Sequence, residues 1–349
     1  MKKKDIAVLF GGCSSEYSVS LESASGVIGH MDREQYNPIL VGITKSGDWF
    51  YFTGDTAKIA ADTWCNAADC VPAVLCPNRN VRDLLALYKD GFERISVDAV
   101  FPVLHGRNGE DGTVQGACEL AGIPVVGCGT LASALGMDKD RAHKLVSLAG
   151  VRVPKSFVLE KTDKPDSAQK WAEAIGYPLF VKPVKAGSSY GITKITENGQ
   201  LMAAVEEAFR YDNQVIVEEC IPGFEVGCAV MGNTELSTGE IDEIELADGF
   251  FDFTEKYNLI TSKIHVPARI PKEKSDELKQ TAKTIYRALG CRGFARVDMF
   301  LTPEGEIVFN EVNTIPGFTP HSRFPSMMKA AGISFDDVIT QAIELAVEQ

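Results

Sequence analysis

No C-x-x-C pair occurs among the nine cysteines, at positions 13, 65, 70, 76, 118, 128, 220, 228 and 291, so zinc-ribbon and thioredoxin-like chemistry lose support. An odd number of cysteines in a chain of 349 residues reads as reduced, mostly packed thiols of a cytoplasmic protein. No apolar run approaches the roughly 20 residues that span a bilayer, so no membrane partner is expected. The opening MKKKDIAVLFGG has a basic run and then five apolar residues before two glycines. A secretory signal needs a longer apolar region, and the stretch reads instead as a first strand. Positive charge is short: 35 Lys and Arg stand against 48 Asp and Glu, a net charge of −13. That excludes an extended nucleic-acid surface but leaves room for a local basic pocket around a nucleotide. Internal repeats and low-complexity segments are absent.

What is present is ordinary for a soluble globular protein, with 45% apolar and 24% charged residues, and the length suits two or three domains. IAVLFGG followed by SSEYSVSLESASGVIGHM predicts strand, Gly-rich turn and helix. YNPILVGIT, VDAVFPVLH and GIPVVG are further strands, and WFYF is a hairpin strand. This gives a parallel α/β domain over residues 1–130. Residues 55–90 mix Asp, Ala, Cys, Pro and Asn and read as a surface excursion. A smaller α+β domain is expected over 131–222, with PLFVKPV and NQVIVEECI as strands. A strand-rich unit is expected over 223–349, holding EVGCAVMG, EIDEIEL, FARVDMFL and EIVFNEVN, the long helix EKSDELKQTAKTIYRALG and a closing helix.

Chemistry concentrates in three places. FARVDMFL and EIVFNEVN flank a turn with Gly305 and form an antiparallel pair. Side chains two apart on a strand share a face, so Arg296 and Asp298 point together, as do Glu311 and Asn313. Hard oxygen ligands without His or Cys suit Mg²⁺ held against phosphates; spacing alone equally allows a solvated strand face with an ion pair. KPVKAGSSYG places Lys182 at a strand end before a loop whose backbone N–H groups and hydroxyls suit phosphate oxygens, though such a loop is as often a plain turn. LHGRNGEDG carries His105 to the carboxyl end of a strand, where ligands bind in open α/β sheets. A lone His is more often structural, but the surrounding glycines and acids favour a functional site.

LFGGCSSEYSVSLESA, LHGRNGEDGTVQG, MDKDRAHK, VKPVKAGSSYGI, EKY, GFARVDMF and FNEVNTIPGFTPHSRFP, in this order, resemble the D-alanine–D-alanine ligase family of ATP-grasp enzymes. The resemblance covers nearly the whole chain except residues 55–90. It implies an ATP-grasp fold behind an N-terminal α/β domain, ATP and two Mg²⁺ ions (with Mn²⁺ as a substitute), D-amino acid substrates and a homodimer. It implies that Glu16 holds the amino group of the first D-alanine, with His105 near its carboxylate; Glu16 would otherwise be a helix-start acid. Lys139 and Lys182 would contact ATP phosphates, and Ser188 and Ser189 would come from the loop covering them. Glu218 and Glu225 would bind adenine or ribose, with Ile221, Phe250, Phe300 and Asn310 completing the site. Glu219 stands where the family often has Lys, so its adenine contact would run through the backbone. Asp298, Glu311 and Asn313 would bind the metals. Arg296 and the Gly317 N–H would stabilise developing negative charge. The stretch Asp248 to Ser262 would be a lid bringing Lys256 and Tyr257 inward, since Phe250, Phe251 and Phe253 call for a docking surface.

The resemblance implies an amine nucleophile through Tyr257, and Arg323, after Ser322, stands where D-alanine–D-alanine ligases commonly carry an apolar residue; Arg323 would otherwise be one end of a purely structural salt bridge. With FDFTEKY, these features most resemble the D-alanine–D-serine ligases of vancomycin resistance, with Asp242 and Phe251 as further partners of D-serine. The rival readings are a housekeeping D-alanine–D-alanine ligase and a non-catalytic nucleotide-binding regulator. Intact Asp298, Glu311, Asn313 and Arg296 speak against the regulator.

Overall fold

The computed structural model describes residues 2–187, 190–246 and 262–348. The N-terminal part contains β1 (Lys4–Gly11), α1 (Tyr17–His30), β2 (Tyr36–Ile43), β3 (Trp49–Phe52), α2 (Ala57–Ala60), β4 (Cys70–Leu75), β5 (Asp83–Tyr88), β6 (Gly91–Ser96), β7 (Ala99–Pro102) and α3 (Thr113–Ala121). One sheet runs β6-β5-β4-β3-β2-β1-β7. β1 is apolar on both faces, with Ile6, Val8 and Phe10 in one core cluster and Ala7 and Leu9 in another. Such a strand needs cover on both sides, and it is the one that pairs parallel on either side, with β2 and β7.

Two expectations for this part need correction. The sheet is parallel only across β2-β1-β7; β2 to β6 form an antiparallel meander. Residues 55–90 are not a loose excursion, since β4 and β5 lie within them and continue the sheet. The strand pattern was masked by Pro72, which pairs with Phe50 inside the ladder, and by the mixed burial of β4.

A second sheet, ordered β10-β9-β11-β8, is built from β8 (Ser156–Glu160), β9 (Leu179–Pro183), β10 (Thr193–Ile195) and β11 (Gln214–Glu219). It packs on α6 (Pro165–Ile175) and α7 (Leu201–Ala208) through Ala168, Ala172, Leu201, Val205, Val181 and Val217. The third sheet runs β15-β14-β12-β16-β17, with β13 (Ser237–Thr238) against β12. Its strands are β12 (Phe224–Met231), β14 (Asp242–Leu246), β15 (Ser262–His265), β16 (Phe294–Leu301) and β17 (Ile307–Asn313). Helices α8 (Lys272–Ala288), α9 (Arg323–Ala330) and α10 (Phe335–Val347) complete the fold.

Cores and sequence boundaries do not coincide. Helices α4 (Thr130–Met137) and α5 (Lys139–Leu148) place Ala132, Ala142 and Val146 in the cluster with Val226, Val297 and Phe309. They therefore pack under the third sheet, while the second sheet keeps a core of its own from β8 onward. Phe324, Met327, Ile339 and Ile343 of α9 and α10 join Phe10, Leu21 and Phe101 in the first core, so the chain's end is locked to its beginning.

His143 on α5 illustrates the tightness of these cores. It is buried, its Nε2 lies 3.0 Å from the Asn310 carbonyl, and its ring meets Phe309 edge-on at 5.6 Å. Burial holds its pKa below the ordinary 6.5, helped by Lys182 and Lys139 and opposed by Glu218. A depressed value keeps its stabilising contribution intact above 6.5 and loses it as pH falls from there through the folded value. Thermal melts at stepped pH should therefore show the gap between the wild type and His143→Gln narrowing on acidification from neutrality. A gap independent of pH would refute the titration.

Candidate active site

The hairpin of β16 and β17 turns at Gly305, whose φ of +82° suits glycine. Its register pairs Arg296 with Asn313 and Asp298 with Glu311, then slips so that Met299 faces Phe309. Asp298 and Glu311 thus share one side of the sheet. The slip leaves Asn310 as an extra residue, a β-bulge that re-aims side chains. As a result the adjacent residues Asn310 and Glu311 both line one cavity, which an alternating strand would forbid.

Two cavities meet at this hairpin. The smaller, about 290 Å³, is bordered by Glu16, His105, Arg296, Glu311, Asn313, Gly317, Ser322 and Arg323. The larger, about 550 Å³, is bordered by Lys182, Glu218, Glu219, Ile221, Glu225, Phe300, Asn310 and Glu311. Lys139 and Glu311 border both. The structure therefore brings together the site residues expected from sequence that lie among those described, apart from Asp242 and Asp298, which sit behind the walls. Ser188, Ser189, Phe250, Phe251, Lys256, Tyr257 and most of the expected lid lie outside the described residues.

In the smaller cavity, Glu16 is buried at the N-cap position of α1, and its side chain makes no capping bond. Its backbone N–H donates to Ser14 Oγ (3.1 Å), and Ser14 donates to the His105 carbonyl (2.6 Å). Gly106, at φ +73°, makes room: a Cβ there would lie 2.5 Å from Glu16 Oε2. His105 is buried and ties three segments together. Its Nδ1 lies 3.0 Å from the Ile315 carbonyl, which only accepts, so Nδ1 carries a proton; Nε2 lies 3.0 Å from Ser23 Oγ. Burial pushes His105 down, but Glu110, Glu16 and the Ile315 carbonyl outweigh it and raise its pKa above 6.5. Burial raises Glu110 as well, against the pull of His105. Asn313 satisfies its neighbours with its amide nitrogen toward Glu110 Oε1 (3.0 Å) and the Ile315 carbonyl (3.1 Å). That turns its oxygen to the opposite side of the amide.

Behind this wall lies a buried charge cluster. Arg296 grips Asp298 through Nε (2.8 and 3.1 Å) and Nη2 (2.7 Å). Arg323 donates to both oxygens of Asp242 (2.7 and 2.8 Å) and to Glu225 Oε1 (2.9 Å), and lies 3.4 Å from Asp298 Oδ1. Asp242 is fully buried and also accepts the Gly227 N–H (2.8 Å). The direct substrate contact expected of Asp242 is thus corrected: both its oxygens hold Arg323, and it reaches the cavity only through that residue. Glu225 likewise serves two neighbours, bordering the larger cavity while bonded to Arg323.

The larger cavity has apolar walls at Phe180, Ile192, Ile221 and Phe300 and a polar end at the Lys182–Glu218 ion pair. Glu218 is buried, and its Oε2 has no hydrogen-bond partner in the structure. Apolar walls with one buried acceptor suit a purine bearing an amino group. Glu219 turns its carboxylate to Arg152 (3.1 Å) and the Lys155 N–H (3.0 Å), and its own N–H donates to the Lys155 carbonyl (2.8 Å). A backbone contact to the base would therefore fall to its carbonyl. Lys139 Nζ donates to the Ala186 carbonyl (2.7 Å) where the cavities join.

Among the described residues no three acids, histidines or cysteines already form a metal cluster. The donors nevertheless fit Mg²⁺: Glu311 offers hard oxygens at the join, Asn313 offers one on the wall of the smaller cavity, Asp298 stands across from Glu311, and this ion takes its remaining ligands from water and phosphate.

Several participants escaped the sequence reading. Glu110 was seen only as an acid in a Gly-rich loop. Ser23 was passed over, although a spacing of seven from Glu16 puts it on the same helix face. The bulge at Asn310 has no signature in EIVFNEVN.

The chain matches the family models described as D-ala D-ala ligase N-terminus over residues 5–128 and D-ala D-ala ligase C-terminus over residues 145–344. It is 44% identical to the vancomycin B-type resistance protein VanB of Enterococcus faecalis, over all of both chains. It is 42% identical to the D-alanine–D-alanine ligase of Caldicellulosiruptor bescii, over all of this chain and 96% of the relative. The crystal structure of VanG D-Ala:D-Ser ligase from Enterococcus faecalis superposes with a TM-score of 0.93 at 57% identity, covering 99% of this chain and 100% of that one. On these matches the chain, with its two cavities joined at Lys139 and Glu311, belongs to the D-alanine–D-alanine ligase family of ATP-grasp enzymes and is an ATP-dependent ligase.

Proposed function

We propose that this ligase joins D-alanine to D-serine through a D-alanyl phosphate, producing altered peptidoglycan precursors that weaken glycopeptide binding. The observation that carries the reading is Arg323, a buried guanidinium on the wall of the smaller cavity, fixed by Asp242 and Glu225. A buried donor favours the ligand that pairs with it, and the hydroxyl of D-serine does so where the methyl of D-alanine does not. The 57% identity to a structure described as a D-Ala:D-Ser ligase supports the same choice.

In this reading Glu16 pairs with the ammonium of the first D-alanine, and His105 and Glu110 fix the surrounding loops. Lys139 and Lys182 offset the repulsion between that substrate's carboxylate and the triphosphate. Asp298, Glu311 and Asn313 would hold Mg²⁺, which when bound neutralises phosphate charge. Phosphoryl transfer turns a poor electrophile into an acyl phosphate. The neutral amine of the second amino acid then attacks the acyl carbon, and phosphate leaves. Arg296 and the Gly317 N–H meet the oxyanion; losing one such donor costs about 2.7–4 kcal/mol of barrier.

The second reading, a D-alanine–D-alanine ligase, is favoured by the 42% identity to such an enzyme. Incubation with ATP, Mg²⁺ and D-alanine, with and without D-serine, separates the two when phosphate is measured and the dipeptide is weighed. D-Alanyl-D-serine should dominate when both amino acids are present. Exclusive formation of D-alanyl-D-alanine would overturn the proposal.

A further inference from the structure

Cys65, in the turn between α2 and β4, and Cys70, the first residue of β4, are two cysteines that the ligase reaction does not use. Trp64 anchors this turn: it is fully buried, meets Phe10 edge-on at 5.0 Å, and its indole N–H donates to Tyr17 Oη (2.9 Å). The chain then doubles back. The Asn66 N–H donates to the Trp64 carbonyl (3.0 Å), and the Cys70 N–H donates to the Asn66 carbonyl (3.1 Å). The Cys70 thiol itself donates to the Trp64 carbonyl (3.2 Å). That carbonyl carbon is bonded to the Cys65 nitrogen, so the reversal sets the Cys70 sulfur beside the Cys65 backbone. Cys65 is exposed and Cys70 half-buried. Cys128 and Cys291, by contrast, are both buried.

We propose that Cys65 and Cys70 are a thiol-oxidation site, closing reversibly to an intramolecular disulfide on the surface of the N-terminal sheet. With hydrogen peroxide as oxidant the chemistry balances. The Cys65 thiolate attacks one peroxide oxygen, the O–O bond breaks, and Cys65 becomes a sulfenic acid as one water forms. The Cys70 sulfur then attacks the Cys65 sulfur, the S–O bond breaks, and a second water leaves with the Cys70 proton. The two thiols together lose two electrons and two protons, and the peroxide gains them. Exposure makes Cys65 the first to react. Burial pushes the Cys70 thiol up, so it stays protonated until the sulfenic acid is beside it. A disulfide requires Cα atoms closer than about 7 Å, which a hydrogen-bonded reversal of this kind can supply. Cys70 is fixed in the ladder opposite Phe52, so the bond would pin the turn to β4 and hold Trp64 under Tyr17, the residue after Glu16.

The test is brief hydrogen peroxide treatment of the intact native protein, alkylation of remaining thiols, digestion and mass spectrometry. A peptide joining Cys65 to Cys70, lighter by two hydrogens and restored by dithiothreitol, is expected. It should be absent from Cys65→Ser, an exposed substitution whose fold is checked by thermal melting. Recovery of Cys65 alkylated, as sulfinic acid, or joined to another cysteine such as Cys13, with no Cys65–Cys70 bond, would overturn the proposal.

Discussion

Glu311→Ala should leave no phosphate release above background while the protein still melts cooperatively near the wild-type temperature. The side chain is half-buried on the wall shared by both cavities, so its truncation opens no hole in a core. What it removes is the carboxylate opposite Asp298, at the point where the two cavities meet. Asp298 then remains as a single carboxylate, shared with Arg296, and does not make up for the lost one. We expect kcat/KM to fall on the order of 10³-fold or more, about 4 kcal/mol of transition-state stabilisation. Glu311→Gln should keep some activity at a raised Mg²⁺ requirement, since the amide still offers an oxygen. Turnover within tenfold of wild type in the alanine variant would remove Glu311 from the metal site.

Arg323→Leu should move preference from D-serine toward D-alanine. A hydrogen bond to a charged group contributes about 1.5–3 kcal/mol, so the ratio of the two kcat/KM values should shift roughly 10- to 150-fold. An unchanged ratio would mean that Arg323 does not read the second substrate. The geometry adds a consequence that the sequence alone did not suggest. Leucine strands Asp242, which is fully buried, and leaves Glu225 without this partner. Breaking a buried pair by removing one partner typically costs about 3–5 kcal/mol. The single variant should therefore also melt at a lower temperature. Adding Asp242→Asn should recover part of that loss without restoring the D-serine preference. Specificity and stability are then read separately, and a double variant no more stable than Arg323→Leu would argue against Asp242 as the main anchor.

Much of the site was legible because its residues are tied to local pattern. Lys182 ends an apolar strand, His105 follows one, and Arg296, Asp298, Glu311 and Asn313 sit at spacings of two on strands joined by a short turn. Period and turn chemistry are properties of neighbouring residues, and they carry over into the fold. What was not legible depends on distant segments. Asp242 was read as a substrate contact because nothing in EIDEIE records that Arg323, 81 residues later, claims both its oxygens. Asn310 shares a cavity with Glu311 only through the register slip against β16. The meander of β4 to β6 was hidden because mixed strands with a proline carry a weak alternation signal.

The sequence by itself determined the strands and helices that bear the site, the oxygen-rich character of the donors proposed for the metal and the family. Side-chain periodicity and ordered motifs encode these within short windows. Only the tertiary structure decided which charges neutralise one another. A buried guanidinium must find carboxylates wherever the fold delivers them, and here they come from β12, β14 and β16 to the start of α9. The same holds for the interlocked cores, because apolar burial has no direction of its own and joins α10 to β7 and α5 to β17 whatever their separation along the chain.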